Sequence, residues 1–301
     1  KILSRLSKFK TIIFLDQLLF RLKNHAVLAV GPQLSFFLIL SLFPFIIVFL
    51  NLLSYTPLVR EDVLKDLIYY LPLETQKIIR AFAYEITISS SQGLLSVAAI
   101  TGLWTASSGI KAVIKAINRA YDYKETRSFI RLKLMSLLFT LALLILLTLV
   151  FLTLVFGEIV GNKLFSYIDR VDIFVYLWSY LRIIIPLAYM ILIFGLLYKF
   201  SPCTDKINDV TLSSTLPGAI FASLGWMIIS IFFSYYVNNF GRYAVTYGSL
   251  VGIVLLLIWL YISSIIIILG GEINATIEYF KVHGYKIDRE RSLLFKHIKS
   301  L

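Results

Sequence analysis

Glu272 closes a long apolar run, directly after Gly270 and Gly271. An ionised side chain at membrane depth is costly unless it is paired, so this carboxylate is either a proton- or ion-coupling group or an ordinary residue of the membrane interface. The same alternatives attach to Gln33, early in the first apolar run, to Ser107, Ser108 and Lys111 in the inner half of the second, and to Asn118 just beyond it. Such polar groups line a translocation path or head-group site, or they make hydrogen bonds between helices. Arg182 follows Trp178 and Tyr180 near the outer end of the fourth run. Its forked guanidinium suits an anionic head group, and it equally suits snorkelling beside an aromatic belt.

Little else in the chain could do chemistry. His25, His283 and His297 all lie in flanks outside the apolar runs, and HExxH, CxxC, Walker A, GxSxG and paired-Asp motifs are absent. Those are the usual marks of metal, phosphate and nucleophile sites. The sequence therefore points away from an enzyme and predicts neither metal nor cofactor. Cys203 is the only cysteine, which excludes a disulfide framework or a thiolate cluster within one chain.

The elements that must carry these residues are membrane spans. Hydrophobic residues make up 59% of the chain, charged residues 15%, and mean hydropathy is +0.85. A crossing helix needs about 20 apolar residues. Six runs qualify: 26–53, 93–114, 134–156, 174–197, 212–235 and 246–271. The expected fold is all-α, a polytopic membrane bundle of about six transmembrane helices forming one membrane domain over 26–275. The second run is the most polar. Residues 1–25 read as a basic amphipathic helix suited to an anionic leaflet or to packing on the ends of the bundle. Residues 56–92 read as an amphipathic helical hairpin outside the membrane, and 276–301 as a basic tail.

Within the spans, Pro44 removes a backbone hydrogen bond and marks a hinge or a static kink. Gly248 and Gly252 make a GxxxG pair in the last run, while Gly218 and Gly225 flank the run before it. Small residues on one face predict that these two helices pack closely.

A net charge of +12 is compatible with a nucleic-acid partner, but the basic residues cluster in short flanks of the apolar runs. Of the 29 Lys and Arg, 21 fall on one set of alternating segments and 8 on the other, whereas the acidic residues divide almost evenly. That asymmetry is topology selection with both termini in the cytoplasm. No nucleic-acid partner is expected.

Several stretches together resemble the YihY/BrkB family of inner-membrane proteins: Pro217-Gly218-Ala219, Ser234 through Asn238-Asn239-Phe240, Tyr247-Gly248-Ser249-Leu250, Trp259-Leu260-Tyr261, and Gly270-Gly271-Glu272-Ile273-Asn274-Ala275. Shorter matches are Leu34-Ser35-Phe36-Phe37 with Leu40-Ser41-Leu42-Phe43-Pro44, Trp104-Thr105-Ala106-Ser107, and Tyr198-Lys199-Phe200-Ser201-Pro202. The family commonly has Ala where Gly31 and Pro32 stand here. The resemblance implies an all-helical protein of the bacterial inner membrane, and it adds Trp104, Asn239 and Tyr247 to the candidate substrate path. Relatives have carried a ribonuclease BN label, which looks like a misassignment given the absence of a metal-ligand set here; others are tied to virulence, serum resistance or envelope lipid export.

The expectation is a transporter or flippase-like protein for an amphipathic envelope molecule such as a lipid. The alternative is an envelope scaffold or assembly factor without transport, and a membrane-bound hydrolase ranks last. Expected partners are membrane lipids, with envelope proteins or a second copy of the chain as further candidates.

Overall fold

The computed structural model describes residues 10–54, 92–167, 170–204, 210–240, 250–285 and 291–293. Among them the fold is all-α. The helices are α1 (Lys10–Asn24), α2 (Val27–Ser54), α3 (Gln92–Ala120), α4 (Phe129–Ser166), α5 (Val171–Phe200), α6 (Leu212–Phe240) and α7 (Leu250–His283). The hairpin expected over 56–92 lies outside the described residues, except for Gln92 at the start of α3. So do Tyr247 and Gly248.

Among the described residues four helices are long and apolar enough to cross a membrane: α4, α5, α6 over Leu212–Val237, and α7 over Val254–His283. The α2 helix adds the shorter apolar segment Val27–Leu40 and continues through Pro44 to Ser54. Several helices overrun the apolar cores that signal them. At 1.5 Å per residue the 38 residues of α4 extend about 57 Å, well beyond a hydrocarbon layer of about 30 Å. Likewise α7 continues from Gly271 to His283, so the first residues expected in the tail are helical.

Local sequence explains the ends. Ser128 caps α4, its hydroxyl accepting from the Arg131 amide. Thr211 does the same for α6, accepting from Ser214. A side-chain oxygen there satisfies one of the first amides that have no partner within the helix. After α7 the chain turns at Gly284, whose φ of +69° is the left-handed conformation glycine adopts without strain, and its amide donates to Phe280 O.

The chain divides into two compact units. One comprises Lys1–Phe36, Lys111–Leu132 and Leu181–Leu301; the other comprises Phe37–Ile110 and Lys133–Tyr180. In the first, α6 and α7 are the most extensively paired helices, and α1 packs on α7. A Cβ on Gly218 would collide with Gly270 O and the Asn274 side chain, while one on Gly225 would lie 3.2 Å from Ile266 Cγ2. The Asn274 side chain bridges the pair, accepting from the Gly218 amide at 2.7 Å and donating to Thr215 O at 3.0 Å. Buried Tyr198 of α5 also reaches α7, donating to Ile267 O at 2.6 Å. Its hydroxyl comes so close to Gly270 that a Cβ there would meet it.

In the second unit the aromatic rings of α5 press on glycines of α4. Any Cβ at Gly161 would overlap the Phe174 ring, and any Cβ at Gly157 would overlap Trp178. The Trp178 indole donates to Glu158 at 3.3 Å, which fixes the register of the two helices.

Candidate functional site

Helix α1 is turned the opposite way to a helix that packs by its apolar stripe. Its buried residues are Ile13, Asp16, Gln17 and Arg21, while Leu15 and Leu19 are about half exposed. Gln17, Arg21 and His25 recur at intervals of four, which places them on one face. That face meets the turn after α3, the last third of α7 and the 291–293 segment.

The centre of this region is His25, whose side chain is 7% exposed. Its Nδ1 lies 2.6 Å from Oε1 of Glu272, and its Nε2 lies 3.3 Å from Oδ1 of Asp122. Arg21 closes the group from α1, donating from Nη1 to Ala120 O at 2.7 Å and from Nη2 to Asp122 Oδ2 at 3.3 Å. Arg291 reaches the same Asp122 oxygen at 3.2 Å. The Arg21 and Arg291 guanidinium groups both approach the Tyr279 ring, at 5.3 Å and 5.8 Å. Nearby, the Leu293 amide donates to Asp16, which ties the tail segment to α1.

Burial alone would push the His25 pKa down, but hydrogen bonds to Asp122 and Glu272 and the charges of both carboxylates outweigh it and raise it to about 9. At neutral pH the ring is therefore an imidazolium donating from both nitrogens. The bond from His25 holds the Asp122 carboxyl below its usual range against the opposing effect of burial, with Arg21 and Arg291 adding to it. Burial lowers the Arg21 pKa, and Asp122 and Glu272 partly offset this. Glu272 is fully buried, and its second oxygen, Oε2, has no hydrogen-bond partner among the described residues.

Backbone strain falls on the same spot. Ala26, next to His25, and Asp122 itself have φ values of +51° and +58°. These are the positive-φ positions other than glycine among the described residues. An L-residue in this region costs roughly 1–2 kcal/mol, less for Asp, and such strain tends to collect where surrounding contacts impose a functional geometry.

The candidates read from sequence go to different places. Glu272 and buried Asn118 both belong to the first unit, but Asn118 serves a separate network. It donates to Glu125 at 2.6 Å and accepts from the Cys203 amide at 2.6 Å. Glu125 is in turn gripped by Arg127, which also reaches Ser201 O. The Lys111 ammonium sits 4.1 Å over the Phe129 ring instead of joining Ser107 and Ser108. Gln33 and Arg182 are exposed. Gly252 lies in the first turn of α7 and Asn239 at the end of α6.

In the second unit, Trp104, Ser107 and Ser108 are gathered by a residue the sequence reading counted only as a topology charge. Lys133, almost fully buried, donates to Trp104 O at 2.8 Å and to Ser108 Oγ at 3.3 Å. Its ammonium lies 4.0 Å from the centroid of the Trp104 ring, which is about half exposed. Ser107 and Ser108 also donate to the Trp104 carbonyl. Lys133 immediately precedes the apolar run that begins at Leu134.

His25, Asp122 and Arg21 were likewise missed, although the four-residue polar repeat on α1 carries the signal. Among the described residues, no group of three or more His, Cys, Asp and Glu side chains is arranged to hold a metal ion.

A family described as virulence factor BrkB matches residues 18–292. The ribonuclease-like protein YfkH of Bacillus subtilis is 37% identical over 262 residues, covering 87% of this chain and 94% of that one. A UPF0761 membrane protein of Pseudoalteromonas atlantica is 26% identical over 282 residues, covering 90% and 88%. Another UPF0761 membrane protein, from Tolumonas auensis, is 40% identical over 82 residues, 27% of this chain and 26% of that one. No solved structure matches.

Proposed function

This chain belongs to the virulence factor BrkB family, a family of multi-pass integral membrane proteins, and on that footing we propose that it translocates an anionic, amphipathic envelope lipid. The membrane is the bacterial inner membrane, with both termini in the cytoplasm, on the strength of the distribution of Lys and Arg.

The observation that carries this reading is the Lys133–Trp104–Ser108 arrangement. A positive charge at the start of the α4 apolar run is held by a backbone carbonyl, a hydroxyl and the face of an indole. An ammonium with oriented donors beside an exposed aromatic ring suits a phosphate-bearing head group with its acyl chains in the bilayer. Asp122 and Glu272 are each engaged by His25, not turned together towards a shared ligand, which favours proton handling there over hydrolysis. The ribonuclease-like name remains a statement about the Bacillus relative.

The test is movement of fluorescent phosphatidylglycerol and phosphatidylcholine between leaflets of liposomes containing the full chain. Wild type should move the anionic lipid faster. Lys133→Gln should cut that preference about tenfold, the effect of losing one charge-assisted hydrogen bond. If neither lipid moves faster than in protein-free vesicles, or if the preference survives Lys133→Gln and Trp104→Ala, the reading is wrong.

A further inference from the structure

Three features of the first unit converge on one small volume. Glu272, on the spanning helix α7, is fully buried, yet one of its oxygens has no hydrogen-bond partner among the described residues. His25 bridges that carboxylate to Asp122, whose side chain is 43% exposed. The two non-glycine residues with positive φ, Ala26 and Asp122, lie at this bridge. A buried carboxylate, an imidazole bonded through both nitrogens, and a half-exposed carboxylate make a continuous route from water to the interior.

We propose that Asp122, His25 and Glu272 form a proton-binding site, in which a proton entering through Asp122 is held on the His25 imidazole against Glu272, and that this proton is the coupling ion of translocation. The coupling role rests on the translocator reading above, whereas proton binding does not.

In the loaded state the imidazolium donates from Nδ1 to Glu272 and from Nε2 to Asp122. Unloading moves the Nε2 proton to Asp122 and on to water, leaving a neutral ring that still donates from Nδ1. One proton leaves and the cluster loses one positive charge. The groups facing His25 respond unequally. From α1, Arg21 stays charged and remains bound to Asp122. Arg291 holds the same Asp122 oxygen from the tail segment, and Tyr279 of α7 stacks under both guanidinium groups. Tyr121 lies beside Arg21 and Glu278. Glu272 loses most, because His25 is the direct hydrogen-bond partner of its charge.

A buried carboxylate left with one neutral donor is costly, so unloading favours any arrangement in which α7 carries Glu272 to a wetter place. The effect is positioned to reach α6, because Asn274, two residues further along α7, makes both side-chain bonds to the Thr215–Gly218 turn.

Two measurements on the full chain separate the parts of the proposal. With 15N-histidine labelling in lipid nanodiscs, the His25 signal, assigned by its loss in His25→Gln, should titrate well above neutrality. Glu272→Gln should weaken its proton affinity about tenfold or more, one pKa unit being a factor of ten. The milder surface change Asp122→Asn should also lower it and guards against misfolding of the buried variant. A His25 titration below neutrality, or one unmoved by both substitutions, overturns the proton site. In liposomes, an imposed pH gradient should raise wild-type phosphatidylglycerol accumulation several-fold over no gradient, and that ratio should fall to one in Glu272→Gln and Asp122→Asn. A ratio that persists in both variants overturns the coupling role. If the titration behaves as expected but no lipid moves under any gradient, the proton site stands, and the translocator reading falls together with the coupling role.

Discussion

Nδ1 of His25 lies 2.6 Å from Oε1 of Glu272, although 247 residues separate them in the chain. The contact joins the residue that follows the short helix α1 to the last spanning helix, and both side chains are almost fully buried.

This bond sets the pH range of stability. The folded His25 pKa of about 9 lies above its ordinary 6.5. A raised pKa stabilises the fold fully below the unfolded value and loses that contribution as pH rises through the folded one. Thermal melting in detergent should therefore show a Tm that is flat below about pH 6.5 and declines towards pH 9 and above. His25→Gln should lower the Tm at pH 6 and remove the decline. On the acid side the lowered Asp122 pKa adds stability that is present above its ordinary 3.8 and is lost as pH falls below it. A wild-type Tm that is level from pH 6 to 10 would contradict the assignment.

Gly218 should not tolerate alanine. The added methyl meets the backbone oxygen of Gly270, which cannot rotate away, and overpacking of this kind costs about 1–3 kcal/mol. Gly225→Ala faces only a methyl of Ile266 and should cost clearly less. Denaturation of the two variants side by side checks the order.

Asn274→Ala should destabilise by about 1–3 kcal/mol, because it removes two buried hydrogen bonds between α6 and α7. Asn274→Asp keeps the acceptor for Gly218 and loses the donor to Thr215, so it should also destabilise. Equal stability of Asn274→Ala and wild type would mean that α6 and α7 hold together without this bridge.

Cys203 offers a readout that needs no engineered thiol. Its amide is held by Asn118 and its sulfur lies 3.2 Å from the Thr126 hydroxyl. Asn118→Ala releases the amide and loosens Glu125 from its other partner, so maleimide labelling of Cys203 should speed up several-fold. Labelling at the wild-type rate would show that the turn is held by the Arg127–Glu125 pair alone.

These outcomes bear on what the sequence can disclose. The all-α membrane character was legible because lipid selects long apolar runs, and α4 to α7 answer to that signal directly. Asn118 and Glu272 stood out because amide and carboxylate groups near membrane depth are expensive. His25 did not, since in the linear chain it follows a basic flank, and its meaning depends on Asp122 and Glu272 arriving from distant segments. Lys133 was hidden for a related reason: a lysine beside an apolar run ordinarily sets topology. Only its neighbours across α3 and α4, Trp104 and Ser108, give it a second role.

The inward-facing polar side of α1 also imposes an order of assembly. Arg21 and His25 are made before their partners: Ala120 and Asp122 emerge about 100 residues later, Glu272 later still, and Leu293, the partner of Asp16, after that. At the usual 5–20 residues per second, the 247 residues between His25 and Glu272 take roughly 12–50 s to synthesise. During that interval the first described helix to leave the ribosome has no seat for its charges, so it waits in contact with water or lipid and is among the last to dock.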